Sequence, residues 1–571
     1  MTASSARYQW QIAAFDAKTA DELARSCGIP RLLALMLLLR GVDTPEDARA
    51  FLRPSLQQLS CPFELDGMRA AVERVRAAKS RNESVLVFGD YDVDGVAATA
   101  ILAQGLRRFG IERVGCDMPD RFTEGYGLMP EHVEKAKEEG YSLLITVDNG
   151  ISAHAAAARA RAVGLDLIIT DHHALDATLP DAVAVVNPKR GPSDHATAMI
   201  AGAGVAFKLA LALNESPNDL DIVALGTVSD IVPLLGENRI FTALGLKHIK
   251  KYRRLGIAKL ARAASFSLED ISAQKIGFQL GPRLNAAGRL DTGHAALELL
   301  MTDDEARADM LAKTLNKANE ERRAIEREIY EQAIETLEAF MTEEQRSIVL
   351  AREDWHQGVV GIVASRLQNR YYRPSIVFSM GEDGYWHGSA RGGPGFNMIA
   401  ALQACDGLLL KYGGHAAAAG MTVAPEYLSD FRERFESEAL RQLGAGKLQP
   451  RLQVDAMVAL GQLDSAFIRS LEMLEPYGQA NPQPMFCAAD VEVVPHSMRV
   501  LKDLHVKFSV RQGDVQIDVI AFQMAERFCT ESLPERADIV FTPQINTFNN
   551  VSAVQLVLKD LRVASRDARG N

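Results

Sequence analysis

The sequence has few cysteines, few aromatic residues and no hydrophobic run long enough to cross a membrane. Its six cysteines are scattered, without a C-x-x-C pair, which predicts reduced thiols in a cytoplasmic protein and neither a disulfide framework nor a thiolate zinc site. The first thirty residues lack the basic and apolar regions of a signal peptide. The early apolar run Leu32–Leu39 is too short to span a bilayer. We therefore expect no membrane association.

The sequence also lacks a basic excess and a nucleotide-binding loop. The net charge of −11 argues against a simple polycation that coats nucleic acid, although a nucleic-acid enzyme with local basic groups stays possible. The nearest approach to a Walker A motif, Gly444 to Lys447, is followed by Leu448 instead of Ser or Thr, which predicts no use of ATP. At 571 residues the chain is too long for one core, so we expect several domains.

An acidic stretch, "GDYDVDG", follows the apolar run Val85–Phe88. Asp90 to Gly95 matches the start of a calcium-binding EF-hand loop, but the required Glu at the twelfth position is Ile101. The next residues, Val96–Phe109, have helical spacing, so the context is strand, acidic turn and helix. Two carboxylates about 4 Å apart repel by roughly 4 kcal/mol at an effective dielectric near 20. A bound cation would offset this repulsion, whereas the alternative is a solvated Asp-rich turn.

Other strand-like runs end in the same kind of residue. Asp148 follows "LLITV", Asp171, His172 and His173 follow "LDLIIT", and helical sequence lies between the runs. This alternation predicts a parallel, doubly wound sheet, in which sites form beyond the carboxyl ends of the strands. Asp230 adds a carboxylate within an apolar, helix-like stretch. Carboxylates and imidazoles without thiolates favour Mn²⁺ or Mg²⁺, and the number of ligands suits two ions about 3.5–4 Å apart.

The order of these motifs resembles that of the DHH phosphoesterase superfamily. "DYDVDG", "VDNG" and "DHH" are followed by Asp230, and then by "GPRLNAAGRL", "WHQGVVGIVASRL", "GSARGG" and "GGHAAAAG". The later motifs are similar to those of the RecJ family, bacterial exonucleases specific for single-stranded DNA. Each motif alone is weak, but the ordered set is specific and covers nearly the whole chain.

The resemblance implies roles for the acidic and imidazole residues. Asp90 and Asp92 would serve a first metal ion, Asp94 a second, and Asp148 would bridge both. His172 and Asp230 would complete the second site. Asp171 and His173 would orient ligands or contact the phosphate, as groups behind a metal site usually do. The catalytic set is therefore Asp90, Asp92, Asp94, Asp148, His172, His173 and Asp230.

The second half of the chain contains candidates for binding the substrate. Ser389 and Arg391 would recognise a terminal 5′ phosphate by family resemblance, with help from Arg121, because arginine offers several donors to phosphate oxygens. Gly414 and His415 would contact the backbone of the terminal nucleotides. A polar loop carrying Arg283, Asn285 and Arg289 would hold phosphates near the metals. Each glycine and arginine could alternatively be an ordinary turn or surface residue.

We predict a mixed α/β protein with five segments. They are a helical N-terminal extension (1–60) packed on the first domain, a parallel doubly wound DHH domain (61–300), a long connecting helix (301–345), a smaller α/β DHHA1 domain (346–447) and a C-terminal barrel of OB type (448–567). The barrel follows from five or so short alternating strands. Lys502, His505, Lys507 and Arg511 would give it local positive charge. Phe508 or Phe548 would stack on bases, unless they form the barrel core.

The resemblance implies a metal-dependent exonuclease that degrades single-stranded DNA from the 5′ end in recombination and repair. A cleft between two lobes would admit one strand and exclude a duplex. Single-strand-binding protein and a helicase are the expected partners of a monomeric, cytoplasmic enzyme. A phosphodiesterase or pyrophosphatase acting on small substrates could share the metal motifs, but the barrel and the chain length favour a long polymer. A non-catalytic DNA-binding scaffold is the other alternative, and the intact acidic set speaks against it.

Overall fold

The computed structural model describes residues 6–119, 127–290, 293–446, 448–548 and 551–564, without the side chains of 287–290, 548 and 551. The chain forms two compact units. The first comprises Met1–Leu284, Gly293–Ala312 and Arg451–Asn571, and the second comprises Asn285–Thr292 and Lys313–Pro450. No helix among the described residues is both long and apolar enough to cross a membrane.

The N-terminal segment is mainly helical. Its elements are β1 (Gln9–Ile12), α1 (Ala17–Cys27), α2 (Arg31–Leu38), α3 (Pro45–Leu52) and, after two short turns, α4 (Met68–Ser80). We expected the first sixty residues to pack on the first domain. They do contact it, since Arg239 of the first domain donates to the Phe51 carbonyl and Glu237 accepts from the Ser60 amide. Side chains such as Leu33, Leu37 and Phe51 also join the apolar core of the C-terminal barrel, and β1 pairs with a strand that precedes the barrel. The apolar α2 fits this core, since five of its eight residues are buried.

A five-stranded parallel sheet follows, as predicted. Its elements are β2 (Val85–Phe88), α5 (Val93–Phe109), β3 (Val114–Asp117), α6 (Pro130–Glu138), β4 (Leu143–Val147), α7 (His154–Val163), β5 (Asp166–Thr170) and β6 (Ala184–Val186). Every residue of β2 and β4 is buried, which explains their continuous apolar sequences. The strand order is β3-β2-β4-β5-β6. After β2 the chain forms β3 on one side of β2 and then β4 on the other side. The strand order therefore reverses at β2, and a ligand crevice opens at such a point of a parallel sheet.

Helices complete the first domain and lead into the second unit. They are α8 (Gly202–Asn214), α9 (Leu220–Ser229), α10 (Gly236–Tyr252), α11 (Leu255–Ala263), α12 (Ala273–Lys275), α13 (Gly281–Leu290), α14 (His294–Met301) and α15 (Glu305–Phe340), with a π-helical turn at Ile276–Leu280. The 36-residue α15 is the predicted long helix. Buried Arg239 of α10 donates to the carbonyls of Phe51 and Leu474, and so links three parts of the first unit.

The second unit has a mixed five-stranded sheet. Its elements are β7 (Ile348–Arg352), α16 (Val360–Tyr371), β8 (Ser375–Met380), β9 (Trp386–Arg391), α17 (Met398–Gln403), β10 (Lys411–Gly414), β11 (Ala418–Val423) and α18 (Leu428–Leu443). The strand order is β10-β11-β9-β8-β7. One face of the sheet packs with α18 and the other with α15 and α16, so the unit has its own core.

The C-terminal part of the first unit is a small barrel. Its elements are β12 (Arg451–Val454), β13 (Ala456–Met457), α19 (Ser465–Leu471), β14 (Phe486–Val493), β15 (Arg499–Leu501), β16 (His505–Gln512), β17 (Val515–Ala521), α20 (Ala525–Thr530), β18 (Arg536–Phe548) and β19 (Val551–Val563). Pairing of β14 with β16 closes the ring β14-β18-β19-β17-β16. Five strands thus form the predicted barrel.

Candidate metal centre

The acidic stretch after β2 forms the start of α5. The Asp92 carboxylate caps this helix by accepting hydrogen bonds from the amides of Asp94 (2.9 Å) and Gly95 (3.0 Å). The helix begins at Val93, three residues earlier than predicted, because Asp92 is a good N-cap. Asp94 consequently lies in the first helical turn and is buried. A side chain at Gly95 would put its Cβ 2.5 Å from the Asp90 carbonyl oxygen, so glycine permits this close approach.

The carboxylate of Asp94 is held by the N-terminus of α8. It accepts hydrogen bonds from the amides of Gly202 (2.6 Å) and Ala203 (3.0 Å), where the helix carries its positive partial charge. Sequence reasoning missed these two residues. The only available signal was the "AGAG" run at 201–204, which is compatible with close packing but does not identify what approaches it.

Asp148 follows β4 in an unusual backbone conformation. Its φ of 62° lies in the left-handed region, which few non-glycine residues adopt outside functional sites and turns. The neighbouring Asn149 is buried and donates its side-chain amide to the carbonyls of Phe88 (3.3 Å) and Val147 (3.0 Å). This amide ties the ends of β2 and β4 together and thereby fixes the position of Asp148 beside the acidic stretch.

The Asp171 carboxylate organises the two histidines that follow β5. It accepts hydrogen bonds from the amides of Ile151 (2.9 Å), His172 (2.7 Å) and His173 (3.0 Å). It also lies 2.7 Å from His173 Nδ1. Burial alone would raise the pKa of Asp171, but these hydrogen bonds, the His173 side chain first among them, lower it overall. Asp171 therefore stays ionised and orients both histidines.

The structure brings the predicted ligands together. His172 Nε2 lies 3.1 Å from Asp148 Oδ1, 3.6 Å from Asp230 Oδ2 and 3.9 Å from Asp94 Oδ2. Asp230 is the C-terminal cap of α9. Three overlapping groups place their ligand atoms within 4.8 Å of one another: Asp90, Asp92 and Asp148; Asp94, His172 and Asp230; and Asp148, His172 and His173.

Burial and mutual repulsion disturb the protonation of this cluster. Burial, and then the charges of neighbouring aspartates, raise the pKa of Asp148 well above its ordinary value. The same causes raise the pKa of Asp94 to about 7 and that of Asp230 to about 9. Burial, with a smaller contribution from His173, lowers the pKa of His172 to about 3, so its imidazole is neutral. Such a site is unfavourable unless protons or cations enter it.

The residues fit divalent cations. Asp148 Oδ1 and His172 Nε2 are buried and 3.1 Å apart, yet neither forms a hydrogen bond within the part of the chain that the structure describes. A carboxylate oxygen and a neutral imidazole nitrogen are ligand atoms that Mn²⁺ accepts. Leaving both atoms unsatisfied costs about 1–3 kcal/mol each, and coordination removes that cost.

Mn²⁺ is expected to raise the unfolding temperature, and more so at high pH. A ligand at about 100 times its dissociation constant contributes ~2.7 kcal/mol. The pKa values of Asp94 and Asp230 are raised to about 7 and about 9 in the folded state. The folded protein therefore binds protons that these carboxyl groups release when the protein unfolds. The metal-free protein therefore loses stability as pH rises from the ordinary aspartate pKa of about 4 to these folded-state values, while competition between protons and Mn²⁺ weakens. Thermal melts with Mn²⁺ or chelator at about pH 6 and about pH 8 check this, and an equal Mn²⁺ effect at both would contradict it.

In the second unit, Ser389 and Arg391 lie on one face of β9. Arg391 donates to Ser389 Oγ (3.2 Å) and to the carbonyl of Ala390 (2.7 Å). The first turn of α16 lies over them, because a Cβ at Gly361 would come 2.7 Å from Ser389 Oγ and 3.2 Å from Arg391 Nη2. A guanidinium, a hydroxyl and a helix N-terminus thus share one place and can bind an anion.

Gly414 and His415 lie at the turn between β10 and β11. Gly414 has a φ of 140°, and a Cβ there would be 2.5 Å from the carbonyl oxygen of Ala418. His415 is exposed and its amide donates to the same carbonyl (2.8 Å). Across the sheet, Ser389 is in register with Gly420, which is in register with Gly413. Ser389 therefore borders a flat strip of bare backbone.

The other predicted substrate residues differ in setting. Arg283, Asn285 and the backbone of Arg289 were expected in a polar loop, but they belong to α13, which continues the helical turns of α12 and of Ile276–Leu280 without a break. Arg283 donates to the Gln279 carbonyl at 2.8 Å. The side chain of Arg289 and all of Arg121 lie outside the described residues.

The barrel structure decides between the two interpretations of Phe508. Phe508 is buried in the barrel core, so it cannot stack on bases, and the side chain of Phe548 is outside the described residues. Lys507 pairs with Asp518 at 2.8 Å and Arg511 with Glu492 at 2.6 Å, which reduces the free positive charge. Alternating strands carry an aromatic residue on either face equally well, and this is why the sequence left the two possibilities open.

Three family models match separate parts of the chain. The DHH family N-terminal domain matches residues 84–227, the DHHA1 domain residues 344–440, and the RecJ OB domain residues 454–560. The single-stranded-DNA-specific exonuclease RecJ of Bacillus subtilis (strain 168) is 37% identical over 563 residues, covering 98% of this chain and 71% of the relative.

Solved structures give the same result. RecJ from Thermus thermophilus in complex with Mn²⁺ superposes with a TM-score of 0.84 at 30% identity, covering 98% of this chain and 80% of that one. The same protein with Mg²⁺ gives 0.78 at 29% identity, covering 98% and 79%. The parallel sheet, with acidic and imidazole side chains converging at its switch point, is that of a DHH phosphoesterase. Within this class, the chain belongs to the RecJ family.

Proposed function

We propose that this chain is a metal-dependent exonuclease that degrades single-stranded DNA from its 5′ end to mononucleotides, in recombination and repair. The observation that carries the proposal is the convergence of Asp94, Asp148, His172 and Asp230 around one point of a DHH-type sheet. Family membership supports the substrate, because the Bacillus subtilis relative is named a single-stranded-DNA-specific exonuclease.

The cofactors are two divalent cations, Mn²⁺ or Mg²⁺. Asp90 and Asp92 would hold one, and Asp94, His172 and Asp230 the other, with Asp148 shared. This division is supported by the grouping of their ligand atoms. Bound ions of this kind polarise a phosphoryl oxygen and lower the pKa of water.

Asp171 and His173 orient the metal ligands and contact the substrate. Asp171 fixes the orientation of both histidines through its hydrogen bonds. Burial lowers the pKa of His173, but the hydrogen bond with Asp171 outweighs it and raises the pKa overall. His173 would therefore hold its proton more firmly than a free imidazole and donate a hydrogen bond to a phosphate oxygen of the scissile group. His172, with its lowered pKa, stays neutral and can act as a ligand.

We assign substrate binding to residues outside the metal centre. Ser389 and Arg391 would hold the 5′ phosphate, supported by their shared face and the helix end above them. We assign contacts with the following nucleotides to the remaining candidates, which are Arg121, Arg283, Asn285, Arg289, Gly414 and His415.

We further propose the five-segment division 1–60, 61–300, 301–345, 346–447 and 448–567. The DHH and RecJ OB regions lie inside their segments, and the DHHA1 region, residues 344–440, begins two residues before its segment. The protein would act as a cytoplasmic monomer that works with a helicase and single-strand-binding protein. The scattered cysteines support the reducing compartment, and the need for an unwound strand supports the partners.

The proposal is tested by digesting long single strands, duplexes and dinucleotides with Mn²⁺ or with chelator. Strands labelled at the 5′ end should release labelled mononucleotide first, whereas strands labelled at the 3′ end should shorten progressively. Duplex and chelated reactions should remain uncut. Cleavage of dinucleotides alone would favour the small-substrate phosphodiesterase, and DNA binding without any cleavage would favour the scaffold.

Arg391→Gln is expected to reduce kcat/KM on 5′-phosphorylated strands about 10- to 100-fold, because a charge-assisted hydrogen bond contributes about 1.5–3 kcal/mol. Strands with a 5′ hydroxyl should be cut almost as well as by the wild type. Arg441→Gln is the matched control, since Arg441 is exposed and pairs with Glu438. An equal loss on both kinds of strand would count against a role at the 5′ phosphate.

A further inference from the structure

The outer edge of β7 is open. This strand lies at the end of its sheet and pairs with β8 alone among the described strands. The amide of Ile348 donates to the carbonyl of Pro374 (2.9 Å) on the β8 side. Because successive amides of a strand point in opposite directions, those of Val349 and Ala351 point away from the sheet. An open strand edge is a template for another strand.

A groove of about 350 Å³ runs along this edge. Four consecutive residues, Val349 to Arg352, line it. Successive side chains of a strand point to opposite faces, so a cavity touched by four in a row must follow the edge of the strand. Thr336 and Phe340 of α15 form one wall and Arg432 and Glu436 of α18 the other. The groove thus has the form of a slot for one extended chain.

The charges of the groove are unbalanced. Burial is the sole cause that lowers the pKa of Arg432, and no carboxylate among the described residues forms an ion pair with it. Arg352 lies at the end of the strand and shares its charge with exposed Asp354 (2.7 Å). The Glu436 carboxylate is already engaged by the amides of Arg346 and Ser347. The groove therefore favours acidic groups.

Apolar surface lies beside these cations. Phe340 is 50% exposed although it ends a helix that packs on the sheet. Trp355 also lines the groove, but it is only 5% exposed and its indole nitrogen donates to Gln332 (2.7 Å). In an occupant with alternating acidic and apolar side chains, the acidic groups would contact the arginines and the apolar groups would pack on the exposed ring of Phe340.

We propose that this groove binds an extended, acidic segment of a partner protein, which adds a strand to the edge of β7. The alternating free amides match the repeat of a polypeptide backbone, and main-chain pairing with side-chain pockets is a common mode of peptide recognition. A mononucleotide would use the arginines but not the strand edge. Ser389 and Arg391 lie on β9, with β8 between them and β7, so the peptide leaves the anion-binding face of β9 free.

The test is selection from a phage-displayed library of random peptides about twelve residues long, using the full chain. Two variants serve as counter-selection. Arg432→Glu reverses the unpaired charge, and Ala351→Pro removes an outward amide without breaking a bond to β8. Enriched peptides should alternate acidic with β-branched or aromatic residues. Their affinity should fall roughly tenfold or more in each variant, while circular dichroism and digestion of single-stranded DNA stay unchanged.

Hydrogen exchange then identifies the mode of binding. A selected peptide should protect the amides of Val349 and Ala351 in the wild type. The proposal is overturned if no acidic sequence is enriched, if both variants bind as well as the wild type, or if those amides stay unprotected. It is also overturned if dAMP displaces the peptide from the groove, or if the free chain already protects these amides by forming dimers.

Discussion

Asp148→Asn is expected to abolish DNA hydrolysis while making the metal-free protein more stable. Asp148 is buried among Asp90, Asp92, Asp94 and Asp230, whose charges raise its pKa together with burial. Asparagine of the same shape removes this repulsion, so the free energy of unfolding in chelator should increase. The variant also loses a carboxylate that belongs to two of the three groups of candidate ligand atoms. A loss of ~4 kcal/mol of transition-state stabilisation corresponds to roughly 10³-fold in rate.

Asparagine is a better test than alanine because of the backbone. At a φ of 62°, an alanine would add strain, whereas asparagine tolerates the left-handed region. Asp117→Asn is the matched control, since Asp117 ends strand β3 of the same sheet and pairs with Lys135 at 2.9 Å. This control should keep its activity. Digestion rates, Mn²⁺ titration by calorimetry and melts in chelator are the measurements, and a destabilised or active Asp148→Asn would contradict the assigned role.

The opposite signs of these effects separate chemistry from structure. A residue that merely supports the fold loses activity and stability together. When the removed residue is a buried charge that the fold holds in place for a cation, the variant loses activity and the metal-free protein gains stability. With saturating Mn²⁺ the order should reverse, so that the wild type becomes the more stable protein.

The sequence could predict the ligands because the fold class alone brings them together. In a parallel sheet all carboxyl strand ends lie at one edge, so Asp148 and His172 had to approach the stretch after β2. Asp230 was harder, since it caps a helix, and its position depends on how α9 packs. Its apolar surroundings were the useful signal, because an isolated buried carboxylate is costly.

Other features depend on packing that no local pattern encodes. The two amides of α8 that hold Asp94 come from more than one hundred residues away. The amphipathic α2 needed an apolar partner, and its own sequence does not tell the first domain from the barrel that it joins. Arg283 and Asn285 were interpreted as a loop because glycine and proline precede them, although α13 continues directly from the π-helical turn before it.

Gly202→Ala is expected to lower kcat about 100-fold, although it touches no substrate. A Cβ at this position would lie 2.5 Å from Asp148 Oδ1 and 2.6 Å from Asp148 Cβ. The same residue donates its amide to Asp94. The added methyl must therefore push two ligands apart, and a displacement on the order of 1 Å costs about 10²-fold in rate. Mn²⁺ affinity should fall as well, while KM for DNA stays close to that of the wild type.

Gly204→Ala supplies the comparison on the same helix. Its Cβ would come 3.2 Å from Ile200 Cβ and from Phe241 Cε2, which are apolar neighbours outside the cluster of ligands. Alanine has a higher helix propensity than glycine, which favours both variants. Both variants also crowd a packed interior, and because this effect is larger, both should lose stability. Only Gly202→Ala should also weaken Mn²⁺ binding. If Gly204→Ala loses as much activity, the close approach of α8 to Asp148 does not shape the centre, and general loosening of the helix explains both.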